Sequence, residues 1–159
     1  GDPRLQPCNI ADCADEAIHL LELDHQARPL RFVNRCEREQ LVLADPQRLL
    51  QVLVNLLGNA RDASEDGADV SITLHTEGQQ VVIAVEDSGS GIPPALQVQV
   101  FEPFFTTKDT GEGTGLGLAL VYSIMEDMGG SVQITSPLHE GPHPGTRVSL
   151  RLPTARYQQ

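Results

Sequence analysis

The sequence predicts an α+β fold: a two-layer α/β sandwich in which a mixed, mainly antiparallel sheet carries its helices on one face. Three observations lead there. The periodic segments run helix, strands, helix, strand pair, loop, helix, strand pair, and antiparallel hairpins interleaved with helices pack as two layers. Strand and helix do not alternate one for one, as a doubly wound parallel sheet requires. The chain has 159 residues, 40% of them apolar and 21% charged, enough for a single domain over residues 1–159 with a true core.

The elements follow in order. Residues 10–24, IADCADEAIHLLELD, read as an amphipathic helix with Ile10, Cys13, Ala17, Leu20 and Leu21 on its apolar side. PLRFVN (29–34) and LVLA (41–44) are short strand candidates. Asp45-Pro46 supplies an N-cap followed by proline at the first helical position. The helix it opens places Leu49, Leu53, Leu56, Ala60 and Ala63 on one stripe. ADVSITLHTEG and QQVVIAVED read as an antiparallel pair joined at Glu77-Gly78. A second long helix starts near Thr114 and runs to Met128, where Gly129-Gly130 stops it. SVQITS and TRVSLRLP close the chain as strands around the loop SPLHEGPHPGT.

Composition excludes several functions. A net charge of −11 argues against a nucleic-acid backbone binder and against direct contact with an anionic membrane. Cys8, Cys13 and Cys36 are odd in number and form no CxxC pair, which suggests neither a disulfide framework nor a zinc site and points to a reducing, cytoplasmic setting. No apolar stretch approaches the ~20 residues of a membrane span, and the chain does not open on a signal peptide.

Four stretches carry candidate chemistry. On the 46–64 helix Asn55, Asn59 and Asp62 share a face. Asparagine is a poor helix-interior residue, so the pair reads either as oxygen ligands for a hard cation such as magnesium or as a solvated face. Asp87 ends an apolar strand and is followed by Gly89 and Gly91. That arrangement can accept from an exocyclic amine while a flat ring approaches the backbone, and it is equally a common turn sequence. GEGTGLGLAL (111–120) sets glycines before a helix start, where unpaired N–H groups favour phosphate. It is not a P-loop, because no glycine here precedes Lys, and Leu116 stands where a dinucleotide fingerprint has its third glycine. FEPFFTTKDT (101–110) reads as a flap with aromatic anchors and one cation, or as an ordinary loop packed by its phenylalanines.

In this order the four stretches resemble the ATP-binding catalytic domain of bacterial sensor histidine kinases, in the GHKL (Bergerat-fold) superfamily. QVLVNLLGNARDAS is similar to its N box, DSGSGIP to its G1 box, FEPFFTTK to its F box and GEGTGLGLAL to its G2 box; the resemblance runs from about Asp45 to Pro153. It implies that Asn59 binds Mg²⁺, with Asn55 beside it near the phosphates, and that Asp87 accepts from adenine N6. Gly89 and Gly91 would shape the base pocket, and Thr146 would help hold the base. Gly113, Gly115, Leu116 and Gly117 would offer backbone N–H groups to phosphate, and Lys108 would reach the γ-phosphate. Asp62, Ile92, Thr106, Thr107, Thr114 and Leu118 complete the implied nucleotide contacts, and residues 101–114 would form the lid.

The resemblance further implies a function: transfer of the γ-phosphoryl of Mg-ATP to a histidine on a helical dimerisation domain of the parent kinase, with a response regulator acting downstream. Hydrolysing relatives in the superfamily carry a glutamate four residues before the metal asparagine. Here that position is Asn55, which cannot be a general base, so transfer is favoured over hydrolysis. Asp62 stands where many sensor kinases have Lys, a pattern similar to the nitrogen-regulation type. The acceptor histidine is not evident: HQARPL (25–30) lacks the acid after His25, Pro29 interrupts it, and His19 sits mid-helix. The alternatives are a stand-alone serine kinase of the anti-sigma type and a degenerate nucleotide-binding scaffold.

Overall fold

The computed structural model describes residues 1–24, 29–97 and 116–156. The chain opens with strand β1 (Gln6–Asn9) and helix α1 (Ile10–Glu22), followed by β2 (Arg31–Asn34) and β3 (Leu41–Ala44). Helix α2 (Pro46–Ala63) leads to the hairpin β4 (Asp69–Glu77) and β5 (Gln80–Asp87). The single turn α3 (Pro94–Gln97), helix α4 (Leu116–Asp127), β6 (Ser131–Thr135) and β7 (Thr146–Ala155) complete it.

Among the described residues the strands form one sheet in the order β1-β3-β7-β5-β4-β2. Strand β7 organises it. One edge pairs with β5 along its length, from Asp87↔Thr146 to Gln80↔Pro153. The other edge is shared, β6 taking Arg147 to Arg151 and β3 taking Thr154 and Ala155. All these pairs are antiparallel, as are β1–β3 and β4–β5. The β2–β4 pair, Arg31↔Asp69 to Asn34↔Ile72, is parallel. The sheet is thus mixed and mainly antiparallel, as the sequence predicts.

Helix α2 packs on α1, on α4 and on β5, and its buried side is Leu49, Val52, Leu53, Leu56, Leu57 and Ala60. Its start follows from sequence: the Asp45 carboxylate accepts from the N–H groups of Gln47 and Arg48, at 3.1 and 3.3 Å, just before Pro46 enters the first turn. The inward residues of β5, Val81, Ile83 and Val85, meet this helix layer, and Leu150 and Leu152 of β7 join the same core.

Three expectations are corrected. Helix α1 buries Ile10, Ala11, Ala14, Ala17 and Ile18. Leu20 is 44% exposed, because the small residues Ala11, Ala14 and Ala17 turn the contact stripe towards α2. Ala63 closes α2 on its exposed side and is not part of the stripe. Strand β1 was not expected from sequence.

Candidate functional site

Strand β5 delivers Asp87 to the edge of the layer, directly paired with Thr146 at the start of β7. The Asp87 Oδ1 accepts from the Gly89 N–H at 2.9 Å, closing a tight turn. Burial pushes its carboxyl up from 3.8 to about 6, against the lowering pull of the backbone N–H groups of Gly89 and Thr146, and neighbouring Glu86 adds to the rise. Asp87 is therefore a half-buried, desolvated carboxyl, the condition under which a perturbed acid marks a candidate ligand site.

The two glycines after Asp87 have structural neighbours of their own. A Cβ on Gly89 would collide with the carbonyl of Ala63, at the end of α2. At Gly91, φ is +77° and a Cβ would lie 2.9 Å from Pro144 Cγ and 3.1 Å from Ser136 Oγ. The space that Gly89 vacates is thus filled by α2, and that of Gly91 by the β6–β7 loop. These contacts fix the 87–92 loop between the C-terminus of α2 and the 136–146 loop. The loops are also tied by the Gly145 N–H donating to the Gly89 carbonyl at 3.0 Å.

Helix α2 sets its asparagines relative to that junction. Asn59 lies four residues and Asn55 eight residues before Ala63, so they stand roughly 6 and 12 Å back along the helix axis. Both are half-buried, and Asp62 is exposed beside them. The family resemblance implies magnesium, and the donor set fits. Two neutral amide oxygens are hard ligands, and no group of three or more His, Cys, Asp or Glu that could cage a metal occurs among the described residues. Such a site suits a cation that brings water and phosphate oxygens as its remaining ligands. Asn59, with Asn55 behind it, would hold it, and the ion would supply charge neutralisation on the phosphates.

Thr146 is 6% exposed, and its hydroxyl donates to Ser136 Oγ at 3.2 Å. Ile92 is half-buried, with its N–H given to Ser136 Oγ at 2.8 Å. Leu118 is 7% exposed and belongs to the hydrophobic core, so its side chain is spoken for by packing and only its backbone is left for a ligand. Leu116 and Gly117 lie in the first turn of α4. Thr106, Thr107, Lys108, Gly113, Thr114 and Gly115, with the whole expected lid, lie outside the described residues, as does His25. His19 is exposed on α1.

Sequence reasoning missed Ser136 and Gln97. Their partners lie up to 44 residues away, and no local pattern signals such a contact.

Residues 44–156 match the model of the histidine kinase-, DNA gyrase B- and HSP90-like ATPase family. The chain belongs to this family. Within it, the chain is 41% identical over 135 residues to the sensor histidine kinase ZraS of Salmonella typhimurium (strain LT2), a match covering 83% of the chain and 28% of ZraS. The chain thus spans little more than a quarter of that relative's length. The catalytic domain of histidine kinase ThkA superposes with a TM-score of 0.76 at 31% identity, over 94% of this chain and 95% of that one. Full-length ShkA, solved in complex with AMPPNP, superposes with a TM-score of 0.81 at 27% identity, over all of this chain and 33% of ShkA. The fold of this ATPase-family domain is that of histidine kinase catalytic domains. No helix among its described residues is long and apolar enough to cross a membrane.

Proposed function

We propose that this domain binds Mg-ATP and passes its γ-phosphoryl group to a histidine on a helical dimerisation domain of the same parent kinase, from which a response regulator draws it. The observation that carries the reading is the position of Asp87: a half-buried, desolvated carboxyl beside Thr146, at the end of the helix that bears Asn59 and Asn55. A nucleotide lying along α2 would put its base against Asp87 and its phosphates near the asparagines. The AMPPNP bound in the ShkA relative supports this choice of ligand.

The chemistry needs little from the protein beyond placement. The bond from the γ-phosphorus to the ADP oxygen breaks, a phosphorus–nitrogen bond to the acceptor imidazole forms, and the imidazole proton leaves. Phosphoryl transfer of this kind is catalysed mainly by positioning and by neutralising charge. Lys108 is the cation proposed for the γ-phosphate. Asn55 offers no base to activate water, which favours transfer to a protein over hydrolysis. The domain is proposed to act as one unit over 1–159, with 101–114 as its lid.

The test is calorimetric titration with AMPPNP with and without Mg²⁺, followed by incubation with γ-labelled ATP and a separately supplied dimerisation domain. Mg²⁺-dependent binding and acid-labile label on the added domain are expected. Absence of binding overturns the reading, and acid-stable label on a serine moves the protein to the serine-kinase alternative.

A further inference from the structure

The hydroxyl of Ser136, at the end of β6, is fully subscribed. A serine oxygen has one proton to give and two lone pairs to receive with. Ser136 Oγ lies 2.8 Å from the Gly145 carbonyl, 2.8 Å from the Ile92 N–H and 3.2 Å from Thr146 Oγ1. The Gly145 carbonyl can only accept and the Ile92 N–H can only donate. The Ser136 proton therefore goes to Gly145, one lone pair takes the Ile92 N–H, and the other is left for Thr146. The Thr146 hydroxyl must then be the donor in its bond to Ser136.

Gln97, at the end of α3, locks this arrangement from the far side. Its Nε2 donates to the Ile92 carbonyl at 3.0 Å and to the Ser136 carbonyl at 2.7 Å, using both amide protons. The same side chain thus clamps the 87–92 loop and the end of β6. Holding these two backbone segments together keeps the three partners of the Ser136 hydroxyl in place.

The consequence falls on Thr146 and Asp87. With its proton committed to Ser136, the Thr146 hydroxyl has only lone pairs left for a ligand. Asp87, its neighbour across the β5–β7 pair, is an acceptor when ionised. We propose that Ser136 is a positioning residue that fixes the polarity of Thr146, so that this end of the site presents acceptors only and selects a 6-amino purine over a 6-oxo purine. A 6-amino group brings two protons to two acceptors. A 6-oxo group would set a third acceptor against them, and an unmatched buried polar contact is heavily penalised. This rests on the reading that Asp87 and Thr146 flank the base.

Calorimetric titration of the whole chain with ADP and with IDP, which differ at purine position 6 in amine against carbonyl, tests it. The wild type is expected to bind ADP at least about tenfold more tightly than IDP. Ser136→Ala is expected to shrink that ratio severalfold, by freeing the Thr146 hydroxyl to donate to the 6-oxo group. Thr146→Val should shrink it too, and adding Ser136→Ala to Thr146→Val should change the ratio no further, because Ser136 acts through Thr146. A Ser136→Ala protein that loses affinity for both nucleotides equally overturns the proposal, as does additivity in the double variant. Should Ser136→Ala fail to fold, a wild-type ratio near one overturns it without any variant. Failure of the wild type to bind ADP at all instead sinks the nucleotide-site reading itself.

Discussion

The carbonyl of Ala63 occupies the position that a Cβ on Gly89 would need. The last residue of the asparagine-bearing helix therefore touches the loop that follows Asp87, and the two proposed ends of the nucleotide site share one rigid joint. Neither partner can give cheaply, because the obstacle is backbone. Gly89→Ala is expected to cost about 1–3 kcal/mol of stability, as overpacking at such a contact does, and to weaken ADP binding at the same time. Chemical denaturation and calorimetry on one preparation check it; normal stability with normal affinity would show that the joint yields freely.

Asp87 gives a prediction with a sign. Its carboxyl is raised from 3.8 to about 6 by burial, so the folded state holds the proton more tightly than the unfolded chain. Stability from this group is present at low pH and lost as pH rises from about 4 through about 6. At pH 7.5 the ionised side chain burdens the fold, by on the order of 3 kcal/mol. Asp87→Asn, which imitates the neutral form, is expected to be more stable than wild type at pH 7.5, with the gap closing towards pH 4. The same variant should bind ADP more weakly, because its amide presents a donor to the amine. Wild-type ADP affinity should fall as pH drops below about 6. Equal stability of the two proteins across the range would show that the carboxyl is not desolvated.

How much of this was legible in the sequence depended on how local the cause was. Helix α2 could be read because its start lies in two adjacent residues, Asp45 and Pro46, and its buried side in a 3.6-residue period. Strand β5 could be read from its apolar run, and the Asn55–Asn59–Asp62 face from spacing alone. Strand β1 could not: it is four residues, QPCN, extended because Cys8 and its neighbours pair with Val42 and the rest of β3. The parallel β2–β4 pair depends on segments 38 residues apart in register. Leu20 misled because apolar character alone does not say which side of a helix meets α2, and three alanines decided that instead. Gly89 was legible only in part. Sequence shows that something must come close, and only the fold shows that Ala63 is already there.

Asp45 separates support of the site from membership in it. Its carboxylate caps α2 and also accepts from the Arg4 N–H at 2.9 Å, and these bonds hold its carboxyl below the usual range. Asp45→Ala removes the cap from the helix that carries both asparagines and is expected to cost about 1–2 kcal/mol of stability. ADP affinity at a temperature where the protein stays folded should be unchanged, since the cap lies at the opposite end of α2 from Asp87. A fall in affinity without a fall in stability would place Asp45 in the site instead.

Asn59→Ala addresses the metal directly. Asn59 is half-buried one turn before the end of α2 and off its core stripe, so truncation should leave the melting temperature within a few degrees of wild type. If its amide oxygen is a magnesium ligand, the difference between AMPPNP affinity with and without Mg²⁺ should largely vanish in the variant. The affinity measured without metal should stay close to wild type, because the base contacts at Asp87 are untouched. Asn55→Ala provides the comparison, since it stands one further turn back and should reduce phosphoryl transfer more than metal-free binding. Retention of full Mg²⁺ dependence by Asn59→Ala would remove that residue from the metal site and leave Asn55 as the amide to examine.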